Sequence, residues 1–211
     1  STLSRVTNNP ISAEHYDNIL SFIYNHVASH DININANLNS KTFDDAYGFI
    51  TQPPPNYEFM VYVRHHGFPT PILDWSKSIW VALFFAYQKA NINEYDPVSI
   101  YFYVHDIGNG TGGFTGKPSI QLFGDNIKTH KRHYMQQAKY TTFCEKKDNR
   151  WYYCDYNDTY LCDINIIEHI DQKALYKANL PAHLKGDVLK QLDSMNINAY
   201  TLYGDNNSMM E

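Results

Sequence analysis

The stretch from Tyr57 to Tyr87 constrains the fold most tightly, because it sets two helix patterns close together with only a short separator between them. Tyr57, Met60, Val61 and Arg64 fall on adjacent helical steps, so a helix is expected over Tyr57 to His66. Gly67 stands where a C-terminal cap is needed. Thr70 to Trp75 is then short and extended. Ser78 to Ala90 follows as a strongly apolar helix, expected to be buried on most sides. Its apolar run, Ile79 to Tyr87, falls well short of the ~20 residues that a membrane span needs. A helix, an extended piece and a core helix in one short run belong to a mixed domain.

The rest of the chain fits that class. Tyr16, Ile19, Leu20, Ile23 and Val27 form one stripe of a helix over Ser12 to Ser29, with Ser12 as its N-cap. Asp31 to Ser40 reads as an Asn-rich loop, and a short helix over Thr42 to Phe49 is stopped by Pro53, Pro54 and Pro55. Val98 to Val104, Ser119 to Phe123, Thr141 to Cys144, Trp151 to Tyr156 and Lys173 to Ala178 are strand candidates. The third and fourth of these pair across the turn residues Lys147 to Asn149. Pro181 opens a last helix with Leu184, Val188, Leu189 and Leu192 on one face. No repeat or linker composition divides the chain. The expectation is one α+β domain over residues 1–211, a small mixed or antiparallel sheet with flanking helices.

Charge and cysteine usage narrow the function classes. Lys and Arg number 17 against 22 Asp and Glu, a net charge of −5. A global field for steering nucleic acid is absent. Cys144, Cys154 and Cys162 are few, odd in number and without a CxxC pair, which argues for reduced thiols in a cytoplasmic protein and against a zinc site. No signal peptide precedes the first helix. Because the chain begins at Ser1, upstream residues are expected.

Several motifs mislead. Gly108 to Gly113 matches GxGxxG after a strand, but no helix starts within those glycines, so a hairpin loop is expected. Gly116-Lys117 lacks the earlier glycine and the Ser/Thr of a P-loop. His26 and His30 stand one helical turn apart without the Glu of an HExxH site, so no metal is expected. Lys128, His130, Lys131, Arg132 and His133 form a basic cluster, either a solvated face or an anion site.

Arg64-His65-His66-Gly67-Phe68-Pro69-Thr70-Pro71-Ile72-Leu73-Asp74-Trp75-Ser76-Lys77-Ser78, followed by Ile79 to Ala86, resembles the central signature of the FRG domain family, roughly Q-H-Y-G-x-P-T-x-L-L-D-W-T/S. Three more segments agree in order. Ser1 to Arg5 looks like the family's S-x-L-x-R, Gln136 to Tyr140 is similar to Q-Q-G-x-F, and Leu180-Pro181 through Tyr203 resembles I-P, a helix and T-L-F-P. Arg64 stands in place of the usual Gln, Pro71 of a frequent Arg and Ala138 of the usual Gly. The (F/Y)-R-G strand that names the family would fall just before Ser1.

The order of these segments also resembles that of ADP-ribosyltransferases. In that likeness Leu73 to Ser78 is the Ser-containing strand running into the helix at Val81 to Ala86, and Gln136-Gln137 is the later acidic or amide element. The resemblance implies NAD as substrate, a nucleotide-binding cleft and a macromolecular acceptor, in a bacterial toxin or defence setting. It implies Gln137, Asp74 and Ser78 as catalytic residues. His65, Thr70, Trp75, Ser76, Arg132, Gln136 and Tyr140 would bind the nucleotide. Each has a structural alternative. Asp74 would cap the helix at Ser78, Trp75 would be core, His65 would bond backbone, and the Gln pair would lie on the surface. A non-catalytic nucleotide- or peptide-binding module is the rival reading. A nuclease lacks a carboxylate metal cluster, and no Cys is marked as an activated nucleophile.

Overall fold

The computed structural model describes residues 10–28, 53–91, 97–104, 119–123, 127, 132–154 and 174–204. The expected Asn-rich loop, the helix over 42–49, the glycine loop, most of the basic cluster and the segment 1–5 lie outside the described residues. The chain forms two units, each built from separate stretches. The first comprises Ser1–Asp74, Gly113–His130 and Lys139–Tyr156, and the second Trp75–Gly112, Lys131–Ala138 and Asn157–Glu211.

In the first unit, β1 (Ile11–Ser12) leads into α1 (Ala13–Ala28). The Ser12 hydroxyl accepts from the His15 N–H at 3.2 Å, the cap its position called for. Helix α2 (Tyr57–His65) ends as Gly67 foretold. Gly67 takes φ +84°, its N–H donates to the Arg64 carbonyl at 3.0 Å, and the Phe68 N–H donates to the Val63 carbonyl at 2.9 Å. This Schellman pair satisfies the last carbonyls of the helix and turns the chain back on itself.

Strand β2 (Ile72–Ser76) follows. Later come β4 (Ser119–Phe123), β5 (Ala138–Lys147) and β6 (Arg150–Tyr153). The sheet order is β1-β6-β5-β2, with β4 also paired to β5. Strands β5 and β6 form the expected hairpin, with Lys147 opposite Arg150 and Cys144 opposite Tyr153. Asp148 and Asn149 sit at φ 48° and 60°, the left-handed pair of a type I′ turn.

Strand β5 runs well beyond the expected Thr141 to Cys144. Its end residues are poor strand formers in isolation, and pairing with neighbouring strands recruits them. Every residue from Tyr140 to Glu145 is buried, so the strand is covered on both faces and shows no alternation. Around it the core is aromatic. Tyr16 meets Tyr153 edge-on at 5.7 Å, and Tyr57 contacts Phe123 at 5.3 Å and Tyr140 at 6.0 Å.

The second unit pairs β3 (Val98–Val104) antiparallel with β7 (Ala174–Leu180), Val98 opposite Leu180. Its helices are α3 (Ile79–Gln88), the single turn α4 (Arg132–Met135), α5 (Lys185–Ser194) and α6 (Ala199–Tyr203). A 3-10 turn, Ala182–Leu184, lies between Pro181 and α5. Val81 and Phe84 of α3 pack with Leu192 and Leu202, and Tyr87 with Val98 and Ala182.

Two expectations are corrected here. Helix α3 buries one stripe only, Val81, Phe84 and Tyr87, while Ile79 and Trp80 are 46 % and 47 % exposed. An apolar helix packed along one side leaves the apolar residues of its far side in water, while Leu83 and Ala86 stay partly buried against the core. Leu184 is also exposed, because it closes the 3-10 turn and does not join the face that buries Leu192. The fold is α+β, with a small antiparallel sheet and helices. Among the described residues, no helix is long and apolar enough to cross a membrane.

Candidate functional site

The residues singled out from the sequence fall into two clusters, one in each unit. The first begins with Arg64 in the last turn of α2, where the helix dipole favours a cation. The turn at Gly67 brings β2 back toward it. The Arg64 Nε donates to Asp74 Oδ2 at 2.6 Å, and its Nη1 donates to Thr70 Oγ1 at 3.3 Å. Thr70 is fully buried, and the Arg64 and Asp74 side chains are 16 % and 46 % exposed. His65 Nε2 and the Tyr140 hydroxyl share a hydrogen bond of 3.3 Å. The Tyr16 hydroxyl donates to the Pro69 carbonyl at 3.1 Å, which fastens the turn to α1.

Burial dominates the two phenols beside this cluster. Burial pushes the Tyr140 phenol up, and the Asp74 carboxylate adds to the shift while Arg64 opposes it. Burial raises Tyr16 in the same way, again with Arg64 opposing. Both phenols therefore keep their protons well above neutral pH. Asp74 serves as the counter-ion of Arg64. The cap of α3 is Ser78, whose Oγ accepts from the Val81 N–H at 3.4 Å.

The second cluster centres on the residues around Ser76 and on the Gln136-Gln137 turn. The Ser76 hydroxyl donates to the Gln136 carbonyl at 2.8 Å and accepts from the Ser78 N–H at 3.1 Å. The Lys77 N–H donates to the Gln137 carbonyl at 3.0 Å. Gln137 is exposed and takes φ +49°, a left-handed conformation that non-glycine residues seldom adopt. The Trp75 ring lies 5.9 Å from that of Tyr103, and both are half-buried. Burial pushes the Tyr103 phenol up.

Arg132 and Gln136 are committed elsewhere in the same unit. The Arg132 Nε donates to the Tyr203 carbonyl at 3.1 Å, and the Gln136 Nε2 donates to the Leu202 carbonyl at 3.1 Å. Of the expected residues, His65, Thr70, Asp74 and Tyr140 thus stand in the first cluster. Trp75, Ser76, Ser78, Arg132, Gln136 and Gln137 stand in the second. Sequence reasoning missed Arg64, Tyr103 and Tyr203. Two of these carried a signal, Arg64 as a charged residue where the resembled motif has Gln and Tyr203 as the aromatic of the T-L-F-P-like segment. Among the described residues, no three His, Cys, Asp or Glu side chains gather as a metal site would require.

No curated protein and no solved structure matches the chain. Residues 1–94 match the family model of the FRG domain, and this stretch, which contains Arg64 to Ala86, supports the FRG family for the chain.

Proposed function

We propose that the second cluster is the nucleotide site of an ADP-ribosyltransferase-like enzyme that uses NAD and modifies a macromolecule. The observation that carries the reading is the pair of hydrogen bonds joining Ser76 and Lys77 to the carbonyls of Gln136 and Gln137. They bring together two segments that are far apart in the chain and that the resemblance counts as successive elements.

Bound NAD would supply a C–N glycosidic bond whose cleavage releases nicotinamide with the bonding pair, and the ribosyl cation is captured by an acceptor nucleophile whose proton passes to water. The chain's own part is to bind, orient and stabilise. Gln137 offers an exposed amide carbonyl to a ribose hydroxyl. Ser76 and Ser78 hold the Gln137 turn and the start of α3. Trp75, beside Tyr103, offers a flat ring for stacking. Asp74 is the nearest acidic residue in sequence, and Arg64 holds its carboxylate. His65, Thr70 and Tyr140 build the network around Arg64.

A second reading has one observation in its favour. Gln137 carries a dipole and no charge, so it stabilises a cation less than a carboxylate does. That favours a module that binds the nucleotide without turnover.

The test is nicotinamide release from NAD by the whole protein, with calorimetry of NAD binding alongside. Turnover that is lost in Gln137→Ala supports the enzyme. Binding without turnover supports the module. Neither binding nor turnover ends the nucleotide reading.

A further inference from the structure

We propose that Arg132 and Tyr203 are positioning residues for Gln137, so that the C-terminal helix α6 belongs to the architecture of the site; this rests on the reading above. Helix α4 is a single turn of four residues, far below the length at which a helix holds itself. Gln136 and Gln137 follow it directly, with their amides donating to the Arg132 and Tyr134 carbonyls at 2.9 Å and 3.1 Å. Something outside the turn must fix it.

Helix α6 does so. Its last carbonyls have no partners within the helix and are strong acceptors. Arg132 donates to one of them at Tyr203, and Gln136 to the other at Leu202. The Arg132 guanidinium also lies over the Tyr203 ring, 5.6 Å from its centre. Helix α6 is anchored in turn. Leu202 is buried with Val81 and Phe84, the Tyr203 hydroxyl donates to Gln88 Oε1 at 2.9 Å, and its ring meets Phe85 edge-on at 6.0 Å. Asn198 and Thr201 close a capping box at its start.

The Gln137 turn is therefore held from two sides. Ser76 and Lys77 grip its carbonyls, and α6 grips the side chains that precede it. That double hold keeps Gln137 at a positive φ, which costs a non-glycine residue free energy. The assignment of Arg132 and Gln136 changes accordingly. These atoms orient the turn and do not reach for the nucleotide.

Arg132→Lys keeps the charge and loses the planar fork. The readouts are hydrogen exchange of the Lys77 amide, which reports whether the turn is docked, and the split between kcat and KM for nicotinamide release. Losing one charge-assisted bond should speed Lys77 exchange about tenfold. The same change should lower kcat about tenfold and leave KM for NAD within about twofold, because only orientation is lost. Unchanged Lys77 exchange, or a raised KM with kcat intact, overturns the proposal. If Arg132→Lys unfolds the unit, with exchange rising equally in β3, Tyr203→Phe replaces it. That variant keeps the ring and the carbonyl, loses the Gln88 bond, and should move both readouts the same way by less. If the unaltered protein releases no nicotinamide, the enzyme reading fails, and the exchange result alone decides whether α6 holds the turn.

Discussion

The two clusters use similar residues under opposite conditions. Around Arg64 the polar groups are spent on each other. Thr70 has no exposure, Tyr140 is buried, and Asp74 is tied to Arg64. Around Gln136 the backbone carbonyls are spent and the Gln137 side chain faces water. Among the described residues, the second unit also leaves Ile79, Trp80, Tyr101, Tyr134, Met135 and Tyr200 exposed, whereas in the first Phe22 alone stands out among the large apolar residues. A signature residue can thus serve by being buried or by being presented, and sequence identity does not distinguish the two.

That contrast can be broken at graded positions. The largest effect is expected in the first unit. Phe143→Ala removes a fully buried ring beside β4, and urea unfolding should show a loss of about 3–5 kcal/mol. A loss below 1 kcal/mol, on the order of a surface change, would mean that Phe143 does not belong to the core of this unit. Next is Arg64→Ala. It leaves the buried Thr70 hydroxyl without this donor while Asp74 can hydrate, so about 1–2 kcal/mol is expected. Asp74→Asn should cost less, because its side chain is nearly half exposed.

A chemical probe sharpens the same contrast. The Cys154 thiol is pushed up to about 12, first by burial and then by Glu145. The folded state thus holds this proton longer than the unfolded state does. Its contribution to stability is whole below the ordinary thiol range and is lost as pH rises toward 12. Alkylation of Cys154 at pH 8 should run at least about tenfold slower in the folded than in the unfolded protein. Glu145→Gln should recover part of the rate, and equal rates in both states would remove the burial argument. The smallest effect belongs to the second unit. Trp80→Ser changes an exposed position of α3, and its unfolding free energy should move by no more than about 0.5 kcal/mol.

Much of the local structure was legible. Helices α1 and α2 followed the apolar period, and Ser12 and Gly67 capped them because those positions need a side-chain acceptor and a left-handed residue. The β5–β6 hairpin followed from two β-prone runs around Asp148-Asn149. The extent of β5 was not legible, since Ala138, Lys139 and the residues after Cys144 are drawn in by pairing. The exposed side of α3 was not legible either. An apolar helix reads as buried all round until its neighbours are counted.

By itself the sequence determined the helix and strand types of the described residues and the caps at Ser12 and Gly67, because these depend on residues within a few positions of each other. Only the tertiary structure decided that Arg64 pairs with Asp74 and that Arg132 and Gln136 hold the carbonyls of Tyr203 and Leu202. Those partners depend on where helix ends and strands meet after folding. A guanidinium or an amide carries no mark of which acceptor will be nearest once the chain has turned back.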